Sequence, residues 1–334
     1  MIGTNFRQRL IIARNKKNDE QHVNCFMSSI ICSGASQLTD AESHLKNEIN
    51  WLSSKYHEKQ NNFGAVLYHN SEDDFENKNN INDKINSKAL KNCQNMQTIE
   101  LINNPKYLKA ISETNDINSA KILLACSYRN SEDNLSSWIP PYTHEDRVRG
   151  VCYSMILDGE IQNLDDLLRL DGFNDWLYNF RPEMLITDYS NSSEYFFLWL
   201  VKSVQDNDGD VLNGLYKGLI SLSCNKIGGQ FNLFFSDGRG VFTYSNMDYK
   251  SEQRKLISYK VTRNEQNIFN YTLRNYCNPV DTDWIMTKTQ KLYYFPILGA
   301  IQSCYDLSEK QETCKTHNKT SYCVSFSSLI FSSF

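Results

Sequence analysis

The apolar residues of this chain arrive in short runs, each about as long as one strand. Residues 25–33 (CFMSSIICS), 63–69 (FGAVLYH), 121–129 (KILLACSYR), 151–157 (VCYSMIL), 230–235 (QFNLFF) and 241–245 (VFTYS) are of this kind. Apolar runs this short, bounded by polar or turn residues, suit buried strands. Elsewhere the spacing turns helical. Ala41, Leu45, Ile49 and Leu52 follow a Thr39-Asp40 N-cap, and residues 87–113, 163–170, 193–205 and 211–223 read the same way. Ser236-Asp237-Gly238 predicts the turn of a hairpin, and Asp158-Gly159 a turn closing the strand at 151–157. Residues 256–261 and 283–287 are further strand candidates. Residues 70–86 and 130–147 predict polar loops, the second interrupted by Pro140-Pro141. With strands at both ends and helices grouped between them, the pattern predicts an α+β fold, not βαβ alternation.

Composition narrows the function. The chain has 334 residues and 12% aromatics, enough for a large core and unlike a disordered protein. With 35 Lys+Arg against 39 Asp+Glu and a net charge of −4, no nucleic-acid partner is expected, because phosphate binding needs a clustered basic face. No apolar run approaches the roughly 18–20 residues of a spanning helix, so no membrane partner is expected either. Neither a Gly-rich phosphate loop nor a Gly-x-Ser-x-Gly elbow occurs, which disfavours ATP-driven and Ser/His/Asp chemistry.

Of the ten cysteines, Cys25, Cys32, Cys93, Cys126, Cys152, Cys224 and Cys277 are scattered, several within apolar runs. That pattern predicts reduced, buried thiols and a cytoplasmic location. Cys304, Cys314, His317 and Cys323 match no standard zinc spacing, so neither metal nor cofactor is expected. Residues 1–24 carry Arg7, Arg9, Arg14, Lys16 and Lys17, with no acid before Asp19, and lack the apolar core of a secretory signal. They read as a leader or propeptide-like segment. Residues 300–334 lose periodicity and read as an irregular, Cys-containing tail.

Taken in order, the segments over residues 25–299 resemble the class II glutamine amidotransferase family, in particular its stand-alone bacterial members. Residues 231–244 (FNLFFSDGRGVFTY) look like the family's strand, Ser-Asp-Gly turn and strand. Asn62-Phe63-Gly64 resembles its Gly-Trp-Gly strand, with Phe where Trp is usual. Residues 123–129 fall where the family has a strand ending in His-x-Arg, and residues 155–159 where it has Ala-His-Asn-Gly. Ser192-Ser193-Glu194 falls where it has Asp-Ser-Glu. The resemblance implies the N-terminal-nucleophile hydrolase fold, a four-layer αββα sandwich. It also implies hydrolysis of glutamine or another γ-glutamyl amide, a small-molecule substrate.

By the same comparison, Cys25 is the nucleophile, which requires cleavage after Asn24. A terminal α-amine, with an ordinary pKa of about 8, could then take the thiol proton. Arg129 stands where the family grips the substrate carboxylate, as a guanidinium fork suits. Gly159 stands where a backbone N–H helps form the oxyanion hole. The remaining positions depart from the family. The oxyanion Asn is Asp158 here, and an ionised carboxylate has no hydrogen to donate; losing one such donor costs about 10²–10³ in rate. The acid that pairs with the substrate ammonium falls at Ser192, with Asp188 as an alternative if the alignment slips. The family's two histidines fall at Ser127 and Leu157. A catalytically inactive member that binds a ligand or partner through the same cleft is the alternative reading.

Overall fold

The computed structural model describes residues 25–32, 61–69, 86–89, 120–129, 140–182, 192–247, 256–263, 269–275, 283–297 and 301–307. The leader, the helix expected around residues 39–52, most of the loop at 70–86, the helix expected beyond residue 90 and Asp188 lie outside them. So do Cys93, Cys277, Cys314, His317 and Cys323.

Four strands come first: β1 (Cys25–Cys32), β2 (Asn61–His69), β3 (Asn86–Ala89) and β4 (Ala120–Arg129). β5 (Tyr142–Asp146) and β6 (Val151–Ile161) follow. Four helices come next: α1 (Leu164–Leu168), α2 (Phe173–Phe180), α3 (Ser192–Gln205) and α4 (Val211–Cys224). The chain then returns to strands with β7 (Gly229–Ser236), β8 (Gly240–Ser245), β9 (Ser258–Arg263) and β10 (Phe269–Arg274). β11 (Ile285–Met286), β12 (Lys291–Pro296) and β13 (Gln302–Asp306) complete the order.

These strands form two sheets, antiparallel in every pairing described. One has seven strands in the order β11-β9-β10-β1-β4-β2-β3, and the other six in the order β13-β12-β8-β7-β6-β5. Two cores follow from strand alternation. In β6, Tyr153, Met155 and Leu157 join the helices in one core, while Ile156 joins the seven-stranded sheet in the other. β8 is buried along its whole length because one face meets helices and the other meets a sheet. Cys25, Met27 and Ile31 of β1 line the core between the sheets with Phe234, Val241 and Phe295. The described layers are therefore helices, sheet and sheet.

Polar groups tie the two sheets together. The Tyr68 hydroxyl of β2 donates to Ser154 Oγ of β6 at 2.6 Å. Burial, chiefly, pushes the Tyr68 phenol well above its ordinary pKa. On the helical side, α4 lies close against α3. A Cβ on Gly214 would come within 2.5 Å of Val204 Cα, and one on Gly218 within 3.0 Å of Leu200 Cδ2. No described helix is long and apolar enough to cross a membrane.

Several expectations are corrected. Asp158-Gly159 does not end its strand; β6 runs on to Ile161, paired with β7 up to Gly229. Residues 86–89 are a strand, where a loop end and a helix start were expected. Residues 142–146, expected in a loop, form β5 on the edge of the six-stranded sheet. The tail expected to be irregular from residue 300 instead begins with β13, which pairs with β12. Cys25, Cys126 and Cys152 are reduced, but Cys224 is disulfide-bonded and exposed at the end of α4.

Candidate functional site

Cys25 heads β1, which runs between β10 and β4 in the middle of the seven-stranded sheet. Its side chain is fully buried and belongs to the core between the sheets. Across that core stands Asp158 of β6, on the same face as Ile156 and 5% exposed. The Cys25 backbone N–H donates to Asp158 Oδ1 at 3.2 Å. Two residues named from the sequence are thus brought together from opposite sheets.

Two further residues complete the cluster, and sequence reasoning named neither. Asn275 follows the last residue of β10 and is fully buried. Its backbone N–H donates to the Met27 carbonyl at 3.3 Å, and its Oδ1 accepts the Met27 N–H at 2.9 Å. The side-chain carbonyl thus stands in for the backbone acceptor that a continued strand would offer. Asn275 Nδ2 donates to the Cys25 carbonyl and to Asp158 Oδ2, each at 2.7 Å. Asn232 of β7 sits opposite Asp158 in the ladder, and its Nδ2 approaches Asp158 Oδ2 at 3.4 Å. Asp158 is therefore reached by a backbone N–H and two carboxamides, donors suited to an ionised carboxylate. The one sequence signal for Asn275 is an Asn immediately after an apolar alternation, a weak mark in an Asn-rich chain.

Gly159 lies beside Asp158 with φ +126°, a conformation that side chains rarely adopt. A Cβ there would fall 2.1 Å from the Gln230 carbonyl oxygen and 2.7 Å from Phe231 Cα. Glycine is needed because the β7 backbone passes directly over it. Leu157 faces the helical core, away from Cys25. Arg129 ends β4, one residue beyond Tyr128, the register partner of Cys25. Ser192 is the first residue of α3, and Ser127 pairs with Phe26. The side chains of Arg129, Ser192 and Ser127 lie outside the described part.

No family model matches the chain, and no curated protein matches it. Solved structures similar to it are class II glutamine amidotransferase proteins. One is a glutamine aminotransferase class-II domain protein from Silicibacter pomeroyi, 12% identical, with 84% of this chain and 99% of that one covered and a TM-score of 0.45. Another is the glutamine phosphoribosylpyrophosphate amidotransferase of B. subtilis, 8% identical, with 84% of this chain covered and a TM-score of 0.45. The present chain spans 49% of that protein's length. A third is a predicted glutamine amidotransferase from Pseudomonas aeruginosa, 10% identical, with 84% and 96% covered and a TM-score of 0.38.

Proposed function

We propose that the chain is a divergent amidohydrolase of the N-terminal-nucleophile type, which hydrolyses glutamine or another γ-glutamyl amide through Cys25. The observation that carries this reading is the buried carboxylate of Asp158, 3.2 Å from the backbone nitrogen of Cys25. An internal peptide N–H needs only a neutral acceptor. A buried charge at that nitrogen suits an ammonium, which is what Cys25 would carry once cleavage after Asn24 freed it.

In the reaction the α-amine takes the Sγ proton, and Asp158 stabilises the ammonium that forms. The three groups then act as nucleophile, base and orienting acid. The thiolate adds to the amide carbonyl, and the C–N bond breaks. The ammonium returns its proton to the leaving ammonia or amine, leaving a thioester. Water, deprotonated by the amine, hydrolyses the thioester and restores the thiol. Arg129 holds the substrate carboxylate, and Ser192 is the neutral neighbour of the substrate ammonium. The Gly159 N–H stabilises the oxyanion, and Asn232 supplies a carboxamide donor beside the position where Asp158 has none.

Intact mass of the purified full chain tests this reading, with a chain beginning at Cys25 expected. A glutamine-analogue electrophile should then label Cys25, and labelling should vanish in Cys25→Ser. A chain that keeps residues 1–24 attached overturns the hydrolase. The complete burial of the Cys25 thiol favours the second reading, an inactive ligand-binding relative. That reading predicts glutamine binding without turnover or labelling. Reduced Cys25, Cys126 and Cys152 suit a cytoplasmic location, whereas the disulfide at Cys224 suits an oxidising compartment.

A further inference from the structure

Asn275 makes three side-chain hydrogen bonds of mixed polarity, and they join parts of the chain that nothing local brings together. Its Oδ1 accepts from Met27, and its Nδ2 donates both to the Cys25 carbonyl and to Asp158 Oδ2. We propose that Asn275 is a positioning residue of the Cys25 site, fixing the Asp158 carboxylate against the nitrogen of Cys25. The assignment rests on the N-terminal-nucleophile reading above.

Chemistry restricts the residue type. The position must accept one hydrogen and donate two, which a carboxamide does and neither a carboxylate nor a hydroxyl can. Geometry restricts the role. Asn232 also reaches Asp158, but from the neighbouring strand of the same sheet and at 3.4 Å. It can steady the carboxylate within its own sheet but cannot set its place relative to Cys25. Asn275 belongs to the sheet of Cys25 and touches Asp158 in the other, so it couples the β1 register to the gap between sheets.

Through Asp158, Asn275 acts on the proton held by the freed amine. A carboxylate held against an amine favours the ammonium, and one released from it does so less. The described titratable groups packed in this core from other strands are Cys126 of β4, Tyr68 of β2, Tyr259 and Tyr271 of β9 and β10, and Tyr293 of β12. Arg274, next to Asn275, stacks over Trp284 at 4.8 Å.

The test measures the pH midpoint of iodoacetamide alkylation at Cys25 by peptide mass. It uses the full-length wild type, Asn275→Ala, Asn275→Asp, Asp158→Asn and the double variant Asn275→Ala/Asp158→Asn. Near-ultraviolet circular dichroism is recorded for each. Asn275→Ala should lower the midpoint, towards that of Asp158→Asn. Asn275→Asp, equal in size but bringing a second carboxylate, should raise it by about one unit. On the Asp158→Asn background, Asn275→Ala should shift nothing further, because its effect passes through that carboxylate. Opposite shifts from two substitutions of one residue are not what a merely structural role produces. If the alanine variant does not fold, the isosteric aspartate variant decides.

A cleaved chain whose variants keep the wild-type midpoint overturns the assignment of Asn275 alone. So does an alanine shift that persists undiminished on the Asp158→Asn background. An uncleaved chain, seen by intact mass before any titration, overturns the N-terminal-nucleophile reading and this assignment with it.

Discussion

Gly159 shows how much of the site depends on one missing Cβ. Its positive φ and the β7 backbone lying over it both exclude a side chain, and its neighbour is Asp158. Gly159→Ala should therefore lower stability by about 3 kcal/mol or more, read by urea unfolding. It should also part β6 from β7 and slow labelling of Cys25. Gly150 is the control: it too has positive φ, +65°, but nothing lies within 4 Å of a Cβ there. Gly150→Ala should cost only about 1–2 kcal/mol and leave labelling unchanged. At this scale Cys25, Asp158 and Gly159 were legible because each falls at a position of the resemblance. In three dimensions Asp158 is an acceptor facing the Cys25 nitrogen, where the resemblance implied only the loss of an oxyanion donor. Asn275 was not legible. Its partners Cys25 and Asp158 lie 250 and 117 positions away, and no local spacing marks it.

At the scale of elements, the hairpin of β7 and β8 was readable because each strand carries a compact apolar group, Phe231 with Leu233, Phe234 and Phe235 in β7 and Val241, Phe242 and Tyr244 in β8, and a Ser-Asp-Gly turn joins them. Strands buried on both faces make continuous runs, and β4 shows the same over residues 122–126. β5 and β13 (YTHED and QSCYD) carry too few apolar residues to stand out, and the alternation of β10 (FNYTLR) spans only one short strand. Their pairing partners decide them. α2 (FNDWLYNF) is rich in aromatics and Asn, residues without strong helix preference, and is held by Phe173, Trp176 and Leu177 on one buried face. The contact of α3 with α4 depends on small residues at 214 and 218. Gly214→Ala meets the Val204 backbone and should cost about 1–3 kcal/mol in urea unfolding. Gly218→Ala meets side chains that can turn aside, and should cost less.

Over the whole molecule, the two sheets meet through a core that contains buried tyrosines. Burial pushes the Tyr68 phenol well above its ordinary range and that of Tyr153, on the helical side of β6, up to about 12. A raised pKa in the folded state means that the neutral phenol is favoured by folding. Its contribution is complete below the unfolded value of about 10 and is lost as pH rises towards the folded value. Stability should therefore fall steeply between about pH 10 and 12. Beyond the rise that exposed tyrosines such as Tyr178 give in the folded protein, phenolate absorbance from the buried tyrosines should rise together with unfolding. Complete ionisation of all tyrosines before unfolding would mean that the buried phenols ionise in the folded protein.

The sequence by itself determined the α+β class, the apolar strands β1, β2, β4, β7 and β8 and the helices α3 and α4, and it named Cys25, Asp158 and Gly159 as residues to watch. Those follow from local alternation and from residue types at matching positions, which survive without knowledge of neighbours. Only the tertiary structure decided that β6 continues through Asp158-Gly159, that β13 extends the six-stranded sheet, and that Asn275 clasps Cys25 to Asp158. These depend on pairing and hydrogen bonds between residues far apart in the chain. A carboxamide or a polar strand looks the same in sequence whether it meets solvent or a buried carboxylate.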